Sequence, residues 1–377
     1  MNKERILLSV ILLLALAGSY LGCKNQNEIE KKIVKFGAIL PLTGESAYWG
    51  INIKDGINLA IDEINNDGGI LNHKIEVIFE DSKGLAAPAI SSINKLIEFD
   101  KIQFVIGDVI SSNILAIAPI VETNKVVLIG FGESAEITQA GDYVFRNWNS
   151  AASDATITGT FAAKRSPEIV LLSRNDAFGK SAKKLFKFEV ENAKVDVVAD
   201  IEFDTKSNDF RTIISSFKNK KYTAIYFAGF HKEALEFIKQ YIELGGRNID
   251  IYGVSSWEEK TLTDFIVENY NGNVYYGYPK PPDSTSQAVI HFKEAFINRY
   301  KQEPQILNDN GYDAVYMLKY AIEESKSFEG EKVKNSLYTL QDFEGASGKF
   351  SLDKNGDVNK PFGLKVINSN GVSWYHE

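Results

Sequence analysis

Cysteine occurs once in this chain of 377 residues, at Cys23. No disulfide can join two parts of the chain, so its stability has to come from packed cores. Histidine is scarce as well: His73, His231, His291 and His376 stand far apart, with no H-E-x-x-H or comparable spacing. The sequence therefore offers no metal site, and nothing in it calls for a cofactor. A surplus of basic charge is also missing. The formal net charge is −8 and no Lys/Arg stripe stands out, which argues against nucleic acid as a partner. After the first residues, no apolar run approaches the roughly 20 residues of a membrane-spanning helix.

What is present begins at the N-terminus. Met1 to Arg5 is short and basic, and Ile6 to Leu16 is almost wholly apolar. That stretch is too short to span a bilayer and fits a secretory signal over residues 1–22. An unpaired thiol in an exported chain needs an explanation. The residues before Cys23, Leu21 and Gly22, resemble the bacterial lipobox, although Tyr20 stands where Leu is usual. The resemblance implies cleavage before Cys23 and lipid attached to it. Residues 23–32 then form a polar tether, and the chain resides in the periplasm or at the cell surface, held to the membrane by its N-terminal lipid alone. The remainder exceeds the size at which one hydrophobic core stops growing, so two domains are expected.

From Ile33 onward, short Val/Ile-rich runs alternate with helical periodicity. "IVKFGAIL" reads as a strand, and Ile53, Ile57, Ala60, Ile61 and Ile64 mark one helical face. Such alternation indicates parallel sheets covered on both faces. The pattern also restarts: "EIVLLSRNDAFG" and the helix after it repeat the strand, polar loop, aromatic-Gly and helix of residues 33–50. The fold class is accordingly α/β with two similar lobes. Two strong helices follow, Gln287–Gln302 and Asn310–Glu324, and Pro279, Pro281 and Pro282 read as a linker crossing between lobes. The expected division is 33–150 plus 282–345 for the first lobe and 151–281 plus 346–377 for the second.

Ligands of open α/β sheets bind beyond the C-terminal ends of the strands. The loop "ILPLTGESAYWG" lies at such an end and carries Tyr48 and Trp49 where a phosphate binder needs bare backbone. Ser111, Ser112 and Asn113 open a helix after "QFVIG"; they serve either as a helix cap or as donors to a carboxylate. Gly132 and Ser134 follow "VVLIG". Ser134 lacks the second glycine of a G-x-S-x-G elbow, so it is not read as a nucleophile. "DKNGDVNK" (353–360) departs from a calcium loop at Val358 and Leu364 and reads as a tight turn at Asn355-Gly356. No catalytic residue is assigned. The strand ends describe a binding site.

These residues, in order with "FVIGDVISSN", "YVFR", "NDAFGKS", "FAGFHKEAL" and "SLDKNGD", resemble the periplasmic leucine/isoleucine/valine-binding proteins over nearly the whole exported chain. These are type I solute-binding components of ABC importers. The resemblance implies two Rossmann-like lobes joined by three crossover strands and closing on a ligand. It places Ser111 and Ser134 as hydroxyl donors to the ligand carboxylate and the Gly132 carbonyl as acceptor for its ammonium. Trp49, with Tyr48 as substitute, becomes the aromatic wall of the first lobe; Phe178 and Phe230 become those of the second. It further implies ABC permease subunits as partners.

One position departs from that pattern. The family's acidic partner for the ligand ammonium falls at Ser255 or Ser256, leaving Glu133 or Glu258 to compensate or the ligand without an ammonium. The leading expectation is an exported, non-enzymatic solute-binding lipoprotein for a branched-chain or other apolar amino acid. The alternatives are a sensing domain of the same fold for an amide or aromatic acid, and an exported α/β hydrolase. Cys23→Ser should abolish labelled palmitate incorporation in the producing bacterium; equal labelling of mutant and wild type would overturn the lipid anchor.

Overall fold

The computed structural model describes residues 32–376, so Cys23, the signal and all of the tether but Lys32 lie outside the described residues. Strands β1 (Ile33–Leu40), β2 (Lys74–Asp81), β3 (Phe104–Gly107), β4 (Val127–Gly130) and β5 (Val144–Arg146) form a parallel sheet in the order β2-β1-β3-β4-β5. Helices α1 (Ala47–Asn66), α2 (Ala86–Glu98) and α3 (Ser111–Asn124) connect them. Side chains of successive strand residues go to opposite faces. Phe36, Ala38 and Leu40 accordingly enter one core while Ile39 enters the other, and Val127 and Ile129 are likewise separated from Leu128.

The chain then crosses to a second sheet through α4 (Ala151–Arg165). There β6 (Glu168–Arg174), α5 (Ala177–Asn192), β7 (Asp196–Phe203), α6 (Arg211–Phe217), β8 (Ala224–Ala228), α7 (His231–Glu243), β9 (Asp250–Tyr252), α8 (Lys260–Asn269) and β10 (Val274–Pro279) follow in turn. A second crossing, containing Pro281 and Pro282, returns the chain to the first lobe. Helices α9 (Gln287–Tyr300), α10 (Asn308–Ser325) and α11 (Gly330–Leu337) pack there with the small antiparallel sheet of β11 (Phe343–Gly345), β12 (Gly348–Leu352) and β13 (Val358–Asn359). A third crossing leads to β14 (Phe362–Asn368) and β15 (Gly371–Trp374), which extend the second sheet to β15-β14-β10-β9-β8-β6-β7.

The two-lobed α/β architecture with three crossings is thus present. The last stretch divides more finely than 346–377 suggests. Phe350 and Leu352 are buried in the first lobe's core, whereas Leu364, Val366 and Ile367 are buried in the second's. The "DKNGDVNK" segment is the turn between β12 and β13: Asn355 N donates to Asp353 Oδ1, and Gly356 sits at φ 87°.

The contact between α1 and α10 is set by two glycines. A Cβ on Gly56 would fall 1.9 Å from the Asn308 carbonyl oxygen, and one on Gly311 2.4 Å from that of Ile53. Asn308 Nδ2 donates to Asn52 O at 2.8 Å, and Asn52 Nδ2 donates to Ile306 O at 3.1 Å. This close approach seats Ile306 and Leu307, with Leu307 at φ 71°. Gly56→Ala should lower unfolding stability by about 1–3 kcal/mol, the usual cost of overpacking. The denaturant midpoint should drop with unchanged m-value; an unchanged midpoint would contradict the packing.

Candidate functional site

The start of each lobe places an aromatic in the first turn of a helix, Trp49 in α1 and Phe178 in α5. Asp176 caps α5 by accepting from Gly179 N at 2.9 Å. A Cβ on Gly179 would lie 2.3 Å from the Arg174 carbonyl oxygen, so only glycine lets the loop fold back this tightly. Phe178 stacks on Phe230, with ring centroids 5.1 Å apart and planes at 11°; the edge of Trp49 meets Phe230 at 5.2 Å. The Arg174 guanidinium lies 4.2 Å from the Phe230 ring centre and is held by Asp176 and Glu233. Glu233 also accepts from Phe230 N at 2.7 Å. The aromatic walls of the two lobes therefore touch.

Between them is a cavity of about 40 Å³. Its aromatic walls are Trp49, Phe131, Trp148, Phe178 and Phe230, and Val109, Ile110, Ile306 and Leu307 add aliphatic surface. Its polar groups are Ser111, Glu133 and Ser256. The Ser256 hydroxyl is buried without a hydrogen-bond partner. In front of the cavity, Tyr48 is about half exposed and lines an outer space together with His231.

The loop after β4 is shaped by Arg146. This residue is fully buried; it pairs with Asp357 at 2.6 Å and donates from Nη1 to the carbonyls of Gly132 (3.2 Å) and Ser134 (2.7 Å). The Gly132 carbonyl, the expected acceptor for an ammonium, is thus already engaged by a guanidinium. Ser134 N donates to Ser111 Oγ at 3.1 Å, and Ser134 Oγ donates to Glu136 at 2.7 Å. Ser134 is buried outside the cavity lining, so its hydroxyl does not face the space where a ligand carboxylate was expected. Ser111 does line the cavity and is no helix cap. Asp108 instead accepts from Val109 N and Ile110 N just ahead of α3. Ser112 follows on α3 without lining the cavity.

Glu133 is the charged group of the site. Its Oε1 accepts from Trp148 Nε1 at 3.1 Å and from Ser255 Oγ at 2.7 Å, so one carboxylate is held by both lobes. Burial pushes the Glu133 carboxyl upward, against the hydrogen bonds of Ser255 and Trp148 and the charge of Arg146. Ser255 stands behind Glu133 and not in the cavity lining; its N donates to Asp154 Oδ2 at 2.9 Å. Asp154 also accepts from Gly277 N at 2.9 Å and Thr158 Oγ1 at 2.8 Å. Glu258 is committed elsewhere, to Tyr276 and to Lys365 at 2.5 Å. Of Glu133 and Glu258, only Glu133 lines the cavity.

The structure thus gathers Trp49, Ser111, Phe178 and Phe230 at the cavity and sets Tyr48 at its mouth. Ser112, Gly132, Ser134 and Ser255 lie around it as support. Trp148, Ile306 and Leu307 were not foreseen. Trp148 follows "YVFR" at the first crossing, a position with no local signature, and the left-handed backbone of Leu307 has no mark in its residue type. No group of three metal-ligating side chains is present among the described residues, and none of their helices is long and apolar enough to cross a membrane.

Comparison with known proteins gives a consistent picture. The periplasmic binding protein family model matches residues 33–371. A Leu/Ile/Val-binding protein of Rhizobium johnstonii is 26% identical over 333 residues, 86% of this chain and 89% of that protein. The crystal structure of a branched-chain amino acid transporter substrate-binding protein from Streptococcus pneumoniae, in complex with isoleucine, matches with a TM-score of 0.78. It is 25% identical and covers 91% of this chain and 98% of its own. At the level of fold, an ABC-transporter solute-binding protein from Rhodopseudomonas palustris in complex with 3,4-dihydroxybenzoic acid matches with a TM-score of 0.74 at 21% identity, over 92% and 98% of the two chains.

Asp154 gives the site a measurable pH dependence. Burial first, and the negative charge of Glu133 second, push its carboxyl from 3.8 up to about 7. Between those values the folded state keeps a proton that the unfolded chain has released, so this group's contribution to stability falls as pH rises. Glu133→Gln removes the second cause. The Asp154 carboxyl should then titrate at lower pH, read by carboxyl carbon NMR, and the decline of stability over that window should become shallower. An unmoved Asp154 titration would contradict the coupling.

Proposed function

The chain belongs to the periplasmic binding protein family, and we propose that it is the solute-binding component of an ABC importer, capturing an amino acid with an apolar side chain between its lobes. The observation that carries this reading is the placement of Glu133 in an otherwise apolar and aromatic cavity, opposite in character to the start of α3. A carboxylate accepts from an ammonium, while the Ser111 hydroxyl and the first amides of a helix favour an anion. A zwitterion with an apolar side chain meets all three demands. Glu133 takes the part that Ser255 and Ser256 leave open, from the first lobe and not the second.

The cavity is too small to admit such a ligand without movement, so the lobes part to load it and close again about the three crossings. The liganded, closed form is the surface offered to the permease. Export and a lipid on Cys23, read from the N-terminal sequence, set this capture outside the cytoplasm and next to the membrane. Neither serine of the lining is hydrogen-bonded to a base: Ser111 Oγ accepts from Ser134 N, and the Ser256 hydroxyl has no partner, which favours capture over turnover of an ester or amide.

Calorimetry with L-isoleucine and its desamino analogue 3-methylpentanoate tests the reading. A hydrogen bond to a charged group contributes about 1.5–3 kcal/mol, so loss of the ammonium should weaken binding roughly 10- to 100-fold. Glu133→Gln should weaken isoleucine by a similar factor and leave the analogue nearly unchanged. Equal affinity for both compounds, or no binding of any apolar amino acid, would overturn the amino-acid assignment.

A further inference from the structure

On the side of the molecule where the chain crosses between lobes there is a second and larger cavity, of about 550 Å³. All three crossings wall it: Trp148 and Asn149 from the first, Pro279 to Asp283 from the second, and Lys360 and Pro361 from the third. Tyr278 and Phe292 add ring faces. The size falls in the range of small-molecule sites, roughly 300–1,000 Å³. The Glu133 site shares Trp148, Ile306 and Leu307 with it, but none of its polar groups.

Two donors at this cavity lack a full set of acceptors. Asn149 is 6% exposed, and its Nδ2 is buried without a hydrogen-bond partner. Buried amide donors are nearly always paired, by protein, water or ligand. Lys360 Nζ donates to Ser347 Oγ at 2.5 Å, which uses one of the three donors of an ammonium. The nearby acids are partly committed: Asp313 accepts from Ala346 N and Ser347 N, and Asp309 from Asn310 N. Of the four lysines that line the cavity, Lys293 pairs with Glu303 at 3.1 Å and Lys349 with Asp342 and Glu344 at 3.3 Å, whereas Lys360 keeps the donors that Ser347 does not use.

From these features we propose that the hinge cavity is a second binding site, for a small apolar ring compound bearing one carboxylate, and that its occupancy favours lobe closure. The carboxylate accepts from Asn149 Nδ2 and Lys360 Nζ, while the ring lies among Trp148, Tyr278, Phe292 and the prolines of the second crossing. Because every crossing contributes wall, rotation of one lobe against the other must change the shape of this space. In the structure the lobes touch at Trp49–Phe230 and at Glu133–Ser255, so the cavity as seen belongs to the closed arrangement. A molecule fitted to it binds that arrangement better than the open one. By linkage it also raises affinity in the cleft, and a cleft ligand raises affinity at the hinge by the same factor.

2-Naphthoate serves as the probe, titrated by calorimetry into the full exported chain and two cavity-filling variants. Val289→Trp occupies the hinge cavity from α9, and Ser256→Trp occupies the cleft. One naphthoate should bind wild type; Ser256→Trp should retain the site with an affinity changed only through lobe closure, and Val289→Trp should weaken it at least tenfold below both. Asn149→Asp, which replaces the free donor by a negative group, should weaken it about tenfold. Small-angle scattering should show a smaller radius of gyration with naphthoate than without. Absence of binding to wild type, or binding lost in Ser256→Trp and kept in Val289→Trp, would overturn the hinge site. Either result leaves the isoleucine titration, and the function it tests, standing on its own.

Discussion

A carboxylate withdrawn from water has to be met by donors or by positive charge, because desolvation otherwise outweighs whatever the fold gains by enclosing it. Glu133 puts that constraint at the centre of this molecule. It sits at the end of a first-lobe strand, yet one of its two hydrogen-bond donors, Ser255, belongs to the second lobe. Any separation of the lobes would remove Ser255 from the carboxylate and expose it to water, so this one side chain ties the contact between the lobes to the polarity of the cavity. Asp154 lies directly behind Ser255 and feels the charge of Glu133, so the two acids share one electrostatic environment.

The loop that carries Glu133 is held from behind by Arg146, which binds the Gly132 and Ser134 carbonyls and pairs with Asp357. Asp357 adjoins the third crossing and Arg146 the first, so the ion pair ties two hinge segments to the site loop. The next residue continues the connection: Asn147 and Asn310 exchange side-chain amide bonds to each other's carbonyls at 2.9 and 3.0 Å. Through α10 this reaches Ile306 and Leu307, and through Gly56 it reaches α1 and Trp49. Hinge, loop and aromatic wall are thus one bonded unit.

The relatives that bind branched-chain amino acids and the fold-level neighbour with an aromatic acid share one architecture, so fold alone does not choose the ligand. The groups that line the cavity here are one acid, Glu133, the Ser111 hydroxyl at the start of α3, and the ring faces between them. Ser255, from the second lobe, donates to Glu133 from outside the lining.

The residue order by itself determined a good deal. Alternating Val/Ile runs with 3.6-residue periodicity identified the parallel α/β lobes, because burial on both faces leaves that pattern in any strand of such a sheet. The restart at "EIVLLSRNDAFG" foretold that Trp49 and Phe178 occupy equivalent positions in the first turn of a helix, and both rings pack on Phe230. Helix bounds for 287–302 and 310–324 were close to those observed, since amphipathic spacing is a local property. Hydrogen-bond direction is not. Nothing local tells that the Ser134 hydroxyl turns to Glu136, that Arg146 reaches the Gly132 carbonyl, or that Ser255 supports Glu133 from the opposite lobe. These partners stand 2, 14 and 122 positions apart; the first two bonds depend on how the loop after β4 is held within the first lobe, and the third exists only because the two lobes are brought together. Which strand ends carry polar and aromatic groups was written in the sequence; which of those groups face the ligand space was decided by tertiary packing, where a buried donor takes whichever acceptor the fold places within reach.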